Sequence, residues 1–337
     1  MRLGVNLTPN VGVTVLKEAE RLGFAAALAP EGLSDAISVI GWAAGQTERM
    51  DLVTGVCQIP ARAPVLTALT AASLSRLSGG RFRLGLGVSN AHSSRSWYGM
   101  DFAGPLKRTR EYVAVVRTAL RGAEVRHEGE HYVLPMTEAD APGFRMPPAP
   151  AAVPIYLGAV GPRSLELVGE IADGWIGVFR SPEQVAVALR RLRAGRERAG
   201  AGMDGFDVLL TVPLSIGDDP VALAEPVKPY FARFLSLGRP EENFYQKLAA
   251  TMGFGEAARR VRDRFVAGDA AGAAAEVPFE FVDGTALLGP PDRIAERMKA
   301  YAAAGVTTLC VGAPARSVEG QVDTLRLAMR ALHASGA

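Results

Sequence analysis

The 337-residue chain predicts an α/β fold, a (β/α)8 barrel, and three observations carry that expectation. Eight short apolar runs rich in Val, Ile or Leu lie at 2–7, 24–29, 51–56, 82–87, 153–158, 174–178, 207–213 and 306–312, and eight is the number of parallel strands that closes such a barrel. Amphipathic stretches with helical spacing alternate with them. The segment Leu74 to Ser89 shows the repeating unit in one place: a helical pattern stops at Gly79-Gly80, a strand follows through Phe82, Leu84 and Leu86, and a polar, aromatic loop opens at Asn90-Ala91-His92.

Taken in order, the helices are expected at 12–22, 35–48, 64–78, 107–121, 163–172, 183–199 and 317–333. Pro64 and Pro162 stand at first-turn positions, where a missing N–H costs little. Two stretches interrupt the rhythm. Residues 122–150 read as a β-hairpin around Glu128-Gly129-Glu130 followed by a rigid Pro-rich connection, and 218–304 replace one seventh helix with several, including 241–268 and 291–304. With no fixed-period repeat and no low-complexity linker, residues 1–337 are expected to form one domain with insertions at about 122–150 and 218–290.

Composition sets limits on function. The apolar content is 48%, the charged content 21% and the formal charge +2, with Lys and Arg dispersed, which argues against nucleic acid as the main partner. Cys57 and Cys310 sit in separate apolar runs, so each is expected as a buried free thiol. No run approaches a membrane span and no charged leader opens the sequence, so a cytoplasmic protein is expected.

Gly85-Leu86-Gly87 has the start of a dinucleotide-binding fingerprint, but Asn90 stands where the third glycine belongs, and close backbone packing is the better reading. His127 and His131 alternate on the hairpin with no third ligand nearby, so no metal is expected and a solvated hairpin face is. Gly158-Ala159-Val160-Gly161-Pro162 runs from a strand into a helix start beside Arg163 and Ser164. That suits a phosphate, and it equally suits a tight turn whose glycines are there for steric reasons.

Several segments carry a family resemblance: Thr54-Gly55-Val56-Cys57-Gln58-Ile59-Pro60, Leu77-Ser78-Gly79-Gly80-Arg81-Phe82, residues 154–177, and Leu288-Gly289-Pro290-Pro291 with Ala304-Gly305-Val306. With these the chain resembles the bacterial luciferase-like flavin and deazaflavin oxidoreductases. It is most similar to the methylenetetrahydromethanopterin reductase-like branch, which uses coenzyme F420, and the resemblance spans nearly the whole chain. It implies a cofactor ring over the C-terminal strand ends and a cis peptide between Gly55 and Val56. Cofactor contacts then fall to Gly55, Val56, Cys57, Val88 and Ser89 on the ring side and to Gly158, Ala159, Val160 and Gly161 on the phosphate side. Arg163 and Arg180 are placed to meet the anionic tail.

Departures from the pattern matter as much. Two acids that approach the substrate in the pterin reductase correspond to Asn6 and Asn90 here, and an amide cannot release a proton as a carboxylic acid does. The His and Glu that mark the alcohol- and sugar-phosphate-oxidising members are missing from Pro30-Glu31-Gly32 and Asn90-Ala91-His92. Glu31, His92 and Tyr98 remain as proton-handling candidates, with Asn6, Gln58, Asn90 and Trp97 as substrate contacts. Each has a plainer reading: Glu31 as a helix cap, His92 as a surface residue, Trp97 and Tyr98 as packing. The expected activity is F420-dependent hydride transfer to a C=C or C=N bond of a medium-sized metabolite, by an enzyme whose inserted helices support a homodimer. The alternatives are a monooxygenase using reduced FMN and a non-catalytic flavin-binding barrel.

Overall fold

The computed structural model describes residues 1–8, 11–32, 34–136, 141–312 and 317–337. All eight expected strands are present: β1 (Arg2–Asn6), β2 (Ala26–Ala29), β3 (Asp51–Thr54, resuming at Cys57–Gln58), β4 (Phe82–Gly87), β5 (Ile155–Gly158), β6 (Gly174–Val178), β7 (Asp207–Val212) and β8 (Thr308–Val311). They pair in parallel in the spatial order β3-β2-β1-β8-β7-β6-β5-β4, and β3 pairs with β4 through Leu52 opposite Phe82 to close the barrel.

Around it lie α1 (Val13–Leu22), α2 (Ala36–Ala44), α3 (Pro64–Leu77), α4 (Ala91–Tyr98), α5 (Pro105–Leu120), α6 (Pro162–Ile171) and α7 (Pro182–Arg198). The insertion holds α8 (Pro220–Ala224), α9 (Lys228–Leu235), α10 (Phe244–Thr251), α11 (Gly255–Val266), α12 (Ala270–Ala275) and α13 (Phe279–Thr285); α14 (Pro291–Ala303) and α15 (Val318–Ser335) complete the ring. α3 ends as expected, at Gly79 and Gly80 with φ of 65° and 86°.

The structure departs from the sequence reading in four places. The stretch 90–98, read as a loop, is the helix α4, because the Asn90 side chain accepts a hydrogen bond from the Ser93 N–H and caps it. The helical stretch at 241–268 is broken between α10 and α11, where Gly253 takes φ of 89°. Leu214–Ile216 and Leu287–Gly289 form an unanticipated parallel pair beneath the insertion. The hairpin His127–Glu128/Val133–Leu134 exists with Glu128, Glu130 and Val133 exposed, but its turn is fastened to the body: Glu111 of α5 accepts from the backbone N–H groups of Glu130, His131 and Tyr132 at 3.1, 2.8 and 3.1 Å, and the His131 ring is buried.

Three apolar clusters organise the molecule. The largest lies between strands and outer helices. A second fills the barrel with Ala26, Leu28, Val53, Tyr156, Ile176, Leu209 and Cys310. The third belongs to the insertion and takes in Phe179 from the end of β6. Both cysteines are free and buried, as expected. At the N-terminal end of the barrel Arg2 pairs with Asp51 (3.4 Å) and Asp207 (3.2 Å), while Arg83 holds Asp51 at 2.7 Å; this polar plug leaves the opposite end for chemistry. Among the described residues, no helix is long and apolar enough to cross a membrane.

The interior is tightest at Gly85. Where β3 breaks, Thr54 Oγ1 donates to the Gly85 carbonyl (2.9 Å) and accepts from its N–H (2.8 Å), replacing lost ladder bonds. A Cβ on Gly85 would overlap the Thr54 carbonyl oxygen, which is backbone and cannot yield. Gly85→Ala is therefore expected to lower stability by about 3 kcal/mol or more, as other overpacked cores do. Urea denaturation of the wild type and variant checks this.

Candidate active site

The C-terminal mouth of the barrel is built where successive strands stop. The Gly55–Val56 peptide is cis, as the resemblance implied, and it interrupts β3. Val56 turns its side chain toward the two neighbouring strand ends: a Cβ on Gly158 would lie 3.2 Å from Val56 Cγ1, and one on Gly87 would collide with Cγ2. Gly87 and Gly158 thus make room for the Val56 side chain, which packs down on both strand ends and itself becomes an apolar surface of the mouth.

Polar groups converge beside that floor from the ends of β2, β3 and β4. Glu31, with a side chain only 10% exposed, accepts a hydrogen bond from the Gln58 N–H at 2.5 Å. Arg62 stands 4.0 Å from Glu31 and bonds Asp35 at 2.7 Å. Gln58 Oε1 in turn accepts from the Ser89 hydroxyl, and Ser89 is held at φ of 66°, a left-handed conformation that a serine occupies at some cost. Burial pushes the Glu31 carboxyl up, against the opposing pull of the Gln58 N–H and Arg62. Burial and then the nearby Glu31 charge raise the Tyr98 phenol as well, so the two groups sense one another. The helix-cap reading of Glu31 is overturned, since Asp35 caps α2 by accepting from the Ser38 N–H.

α4 separates the other candidates. Ala91 and Ser94 are buried on its inner face and Tyr98 is half-buried, whereas His92 and Trp97 are exposed and line a cleft toward the insertion. The Asn90 amide is consumed locally, with Oδ1 on the Ser93 N–H (2.9 Å) and Nδ2 donating to the Ser93 hydroxyl (3.0 Å). That corrects its expected role as a substrate contact: the sequence gives a capping pattern there, and the cap takes the side chain. Asn6 differs, because its Oδ1 is buried at the end of β1 without a partner among the described residues, and so is Ser94 Oγ. Cys57 packs into the outer core, and burial pushes its thiol up to about 12, so it can offer only its backbone to a ligand. Val88 and Ser89 form the half-buried turn between β4 and α4.

Across the mouth, the loop Gly158–Gly161 is held by its carbonyls. Trp175 Nε1 donates to Ala159 O at 3.0 Å, and Arg180 donates to Val160 O. Gly161 opens α6 without any side-chain cap, so first-turn N–H groups beside Gly161 are left for an anion. Arg163 is exposed on that first turn. Arg180 does not stand at the rim to meet a tail, which corrects the expectation. Phe179 takes φ of 52° and sinks into the insertion's aromatic cluster, so the next side chain folds inward, 5.9 Å over the Trp175 ring and only 4% exposed. Its Nε has no partner among the described residues, and burial alone draws its pKa down to about 10. A buried guanidinium without a carboxylate is costly unless an anion arrives.

Sequence reasoning missed Arg62 as a member of the site, although it lies two residues beyond the Thr54–Pro60 segment, and it missed the aromatic roof of Phe179, Tyr230, Phe234 and Tyr245, whose ring centroids lie 4.9–5.5 Å apart in the pairs Phe179–Tyr230, Phe179–Phe234, Phe179–Tyr245, Tyr230–Phe234 and Phe234–Tyr245. A lone cation at a strand end is the only trace Arg62 leaves, and the roof depends on insertion topology.

Comparison with known proteins places this architecture. The sequence model of the luciferase-like monooxygenase family matches residues 6–308. The chain belongs to that luciferase-like family. A Mycobacterium tuberculosis protein whose name assigns it provisionally to the coenzyme F420-dependent oxidoreductases is 35% identical over 330 residues, covering 93% of this chain and 95% of its own. The 5,10-methylenetetrahydromethanopterin reductase of Archaeoglobus fulgidus is 29% identical over 269 residues, covering 80% and 78%. In fold, this luciferase-like chain is similar to the coenzyme F420-dependent tetrahydromethanopterin reductase of Methanopyrus kandleri, with a TM-score of 0.78 at 24% identity over 98% and 97% of the two chains.

Proposed function

We propose that this luciferase-like protein is a coenzyme F420-dependent oxidoreductase that acts as a reductase on a C=C or C=N bond of a medium-sized metabolite. The names of the relatives support the cofactor, and Arg180 is the observation that carries the reading. It is a buried cation with an orphaned Nε beside the uncapped start of α6, so a phosphate there would complete it. The rest of the mouth also fits the group: Val56, seated on Gly87 and Gly158, offers an apolar surface for a flat ring, and Asn6 Oδ1, without a partner among the described residues, can accept a hydrogen bond from a ligand N–H or O–H.

On this reading Val56, Gly87, Gly158 and Ser89 hold the ring, Gly158 to Gly161 with Arg180 hold the phosphate, and Arg163 stands by the exit. When bound, the deazaflavin supplies a hydride donor. The residues of this chain orient the acceptor and deliver the accompanying proton. Glu31 is the best-placed donor, because burial keeps its carboxyl protonated further up the pH scale while Gln58 N–H fixes one oxygen. Tyr98, whose phenol feels the Glu31 charge, is the second candidate hydrogen-bonding group. His92, exposed on the other side of α4, has no part in proton delivery. We also infer a cytoplasmic homodimer. Trp42 on α2 with Leu66, Leu69 and Leu77 on one stripe of α3 leaves large apolar side chains exposed, as Val221 and Tyr230 do on the inserted helices, and such surfaces support self-association.

Binding of the oxidised cofactors, followed by intrinsic fluorescence, tests the reading. F420 is expected to bind at least tenfold more tightly than FMN, a difference of about 1.4 kcal/mol. Tighter binding of FMN, with oxygen consumed when that complex is reduced, would reverse it in favour of the monooxygenase that the family's description names.

A further inference from the structure

The cleft on the outer side of α4 has a volume of about 590 Å³ and lies between that helix, the loop 237–239 and the end of α11. Its charges do not balance. Arg95 is held by Glu242 at 3.1 and 3.3 Å, but Arg233 and Arg239 are exposed, and no hydrogen bond or ion pair engages either guanidinium among the described residues. Trp97, Phe265 and Val266 give the same cleft an exposed apolar wall. Two free guanidinium groups facing apolar surface suit a flexible chain that repeats a carboxylate on a short methylene stem.

The topology connects this cleft to the mouth. Val160, in the phosphate-side loop, packs against the insertion's core, where Phe179 touches Phe231 (4.8 Å) and Phe234 (5.2 Å) of α9. Arg233 lies on the exposed face of that helix, between the two phenylalanines. α9 then leads through Gly238, at φ of 66°, to Arg239; a Cβ on Gly238 would come within 3.3 Å of His92 Cβ, so the turn rests directly on α4. α9 thus packs Phe231 and Phe234 against Phe179, the neighbour of Arg180, and presents Arg233 to the cationic cleft.

We infer that the cleft is the docking site for the oligo-γ-glutamyl tail of the deazaflavin, with Arg233 and Arg239 pairing its carboxylates and Trp97 and Phe265 covering its methylene groups. The inference rests on the cofactor reading above, and it moves the tail from Arg180, which is buried, to groups that are accessible. No bond is made or broken; the site gives affinity and choice of tail length.

Three fluorescent deazaflavins of graded length test it: the riboflavin-like core with neither phosphate nor tail, the phospholactyl form without glutamate, and the form with several glutamates. The full-length wild type is expected to bind the glutamylated form about five- to tenfold more tightly than the phospholactyl form at low salt, with the gap closing at high salt as exposed charge pairs are screened. In the double variant Arg233→Ser/Arg239→Ser that gap disappears, while affinity for the two shorter ligands stays unchanged. Both residues are exposed and unpaired, so folding is retained. A double variant that keeps the full preference for the glutamylated form overturns the tail site alone. A wild type that binds none of the three ligands overturns the cofactor reading and the tail site with it.

Discussion

Glu31→Gln is expected to slow single-turnover oxidation of the bound, reduced deazaflavin by an activated alkene or imine about a hundredfold, at the lower end of what general acids contribute, while cofactor affinity stays within about twofold. The amide keeps the volume and can still accept from the Gln58 N–H, so the geometry survives and only the transferable proton is lost. Tyr98→Phe is expected to cost less, about fivefold, because that phenol acts beside the carboxyl. The pH profile gives a second readout. Around Glu31 stand the Cys57 thiol of β3, Arg62 of the turn after it, Asp35 at the cap of α2 and Tyr98 of α4, and burial outweighs the stabilising pull of Arg62 and the Gln58 N–H, so the carboxyl is raised. A raised acid keeps its proton to higher pH, so the wild-type rate should be full at acidic pH and fall as pH rises through the raised value. Stability follows the same sign: the contribution of the neutral form is present below the ordinary glutamate pKa and is lost as pH rises through the raised one. Glu31→Gln should flatten both dependences. A variant with full rate and an unchanged pH profile would assign the proton to water or to the substrate.

The division between what could and could not be read in the sequence follows the range of the interactions. The barrel strands were legible because each buries a contiguous apolar run, and the ends of α3 because Gly79 and Gly80 are a local stop. The helix α4 was misread because its apolar content is low and its start depends on one capping side chain, Asn90, that also looks like a substrate ligand. The same ambiguity attached to Glu31, whose distance from α2 in the sequence suits a cap; only the fold shows Asp35 taking that place and Glu31 turning to Gln58. Arg180 was assigned to the right loop and the wrong environment. Nothing local to Val178-Phe179-Arg180 says that Phe179 will be pulled into a cluster formed by residues 230–281 and carry its neighbour inward.

That inward turn makes Arg180→Met the most discriminating replacement. In the ligand-free protein the guanidinium is buried with one carbonyl partner and one orphaned Nε, and the desolvation of such an ion costs several kcal/mol. Methionine removes that cost and retains most of the packing on Trp175; against this stand the lost hydrogen bond to Val160 O, about 1–3 kcal/mol, and a cation–π contact of about 1 kcal/mol. The melting temperature of the ligand-free variant is therefore expected to equal or exceed that of the wild type. Phosphate-bearing ligands should respond in the opposite direction. Truncating one partner of a buried charge pair costs about 2–5 kcal/mol, so F420 and FMN should both lose about thirtyfold or more in affinity. The deazaflavin core without a phosphate should bind variant and wild type alike, because it never met the guanidinium. Parallel losses for all three ligands would make Arg180 a strut for the Gly158–Gly161 loop instead of an anion partner. A stabilised protein that has lost only its phosphate-bearing ligands would mean that the fold tolerates an unpaired buried cation for the sake of the anion it receives.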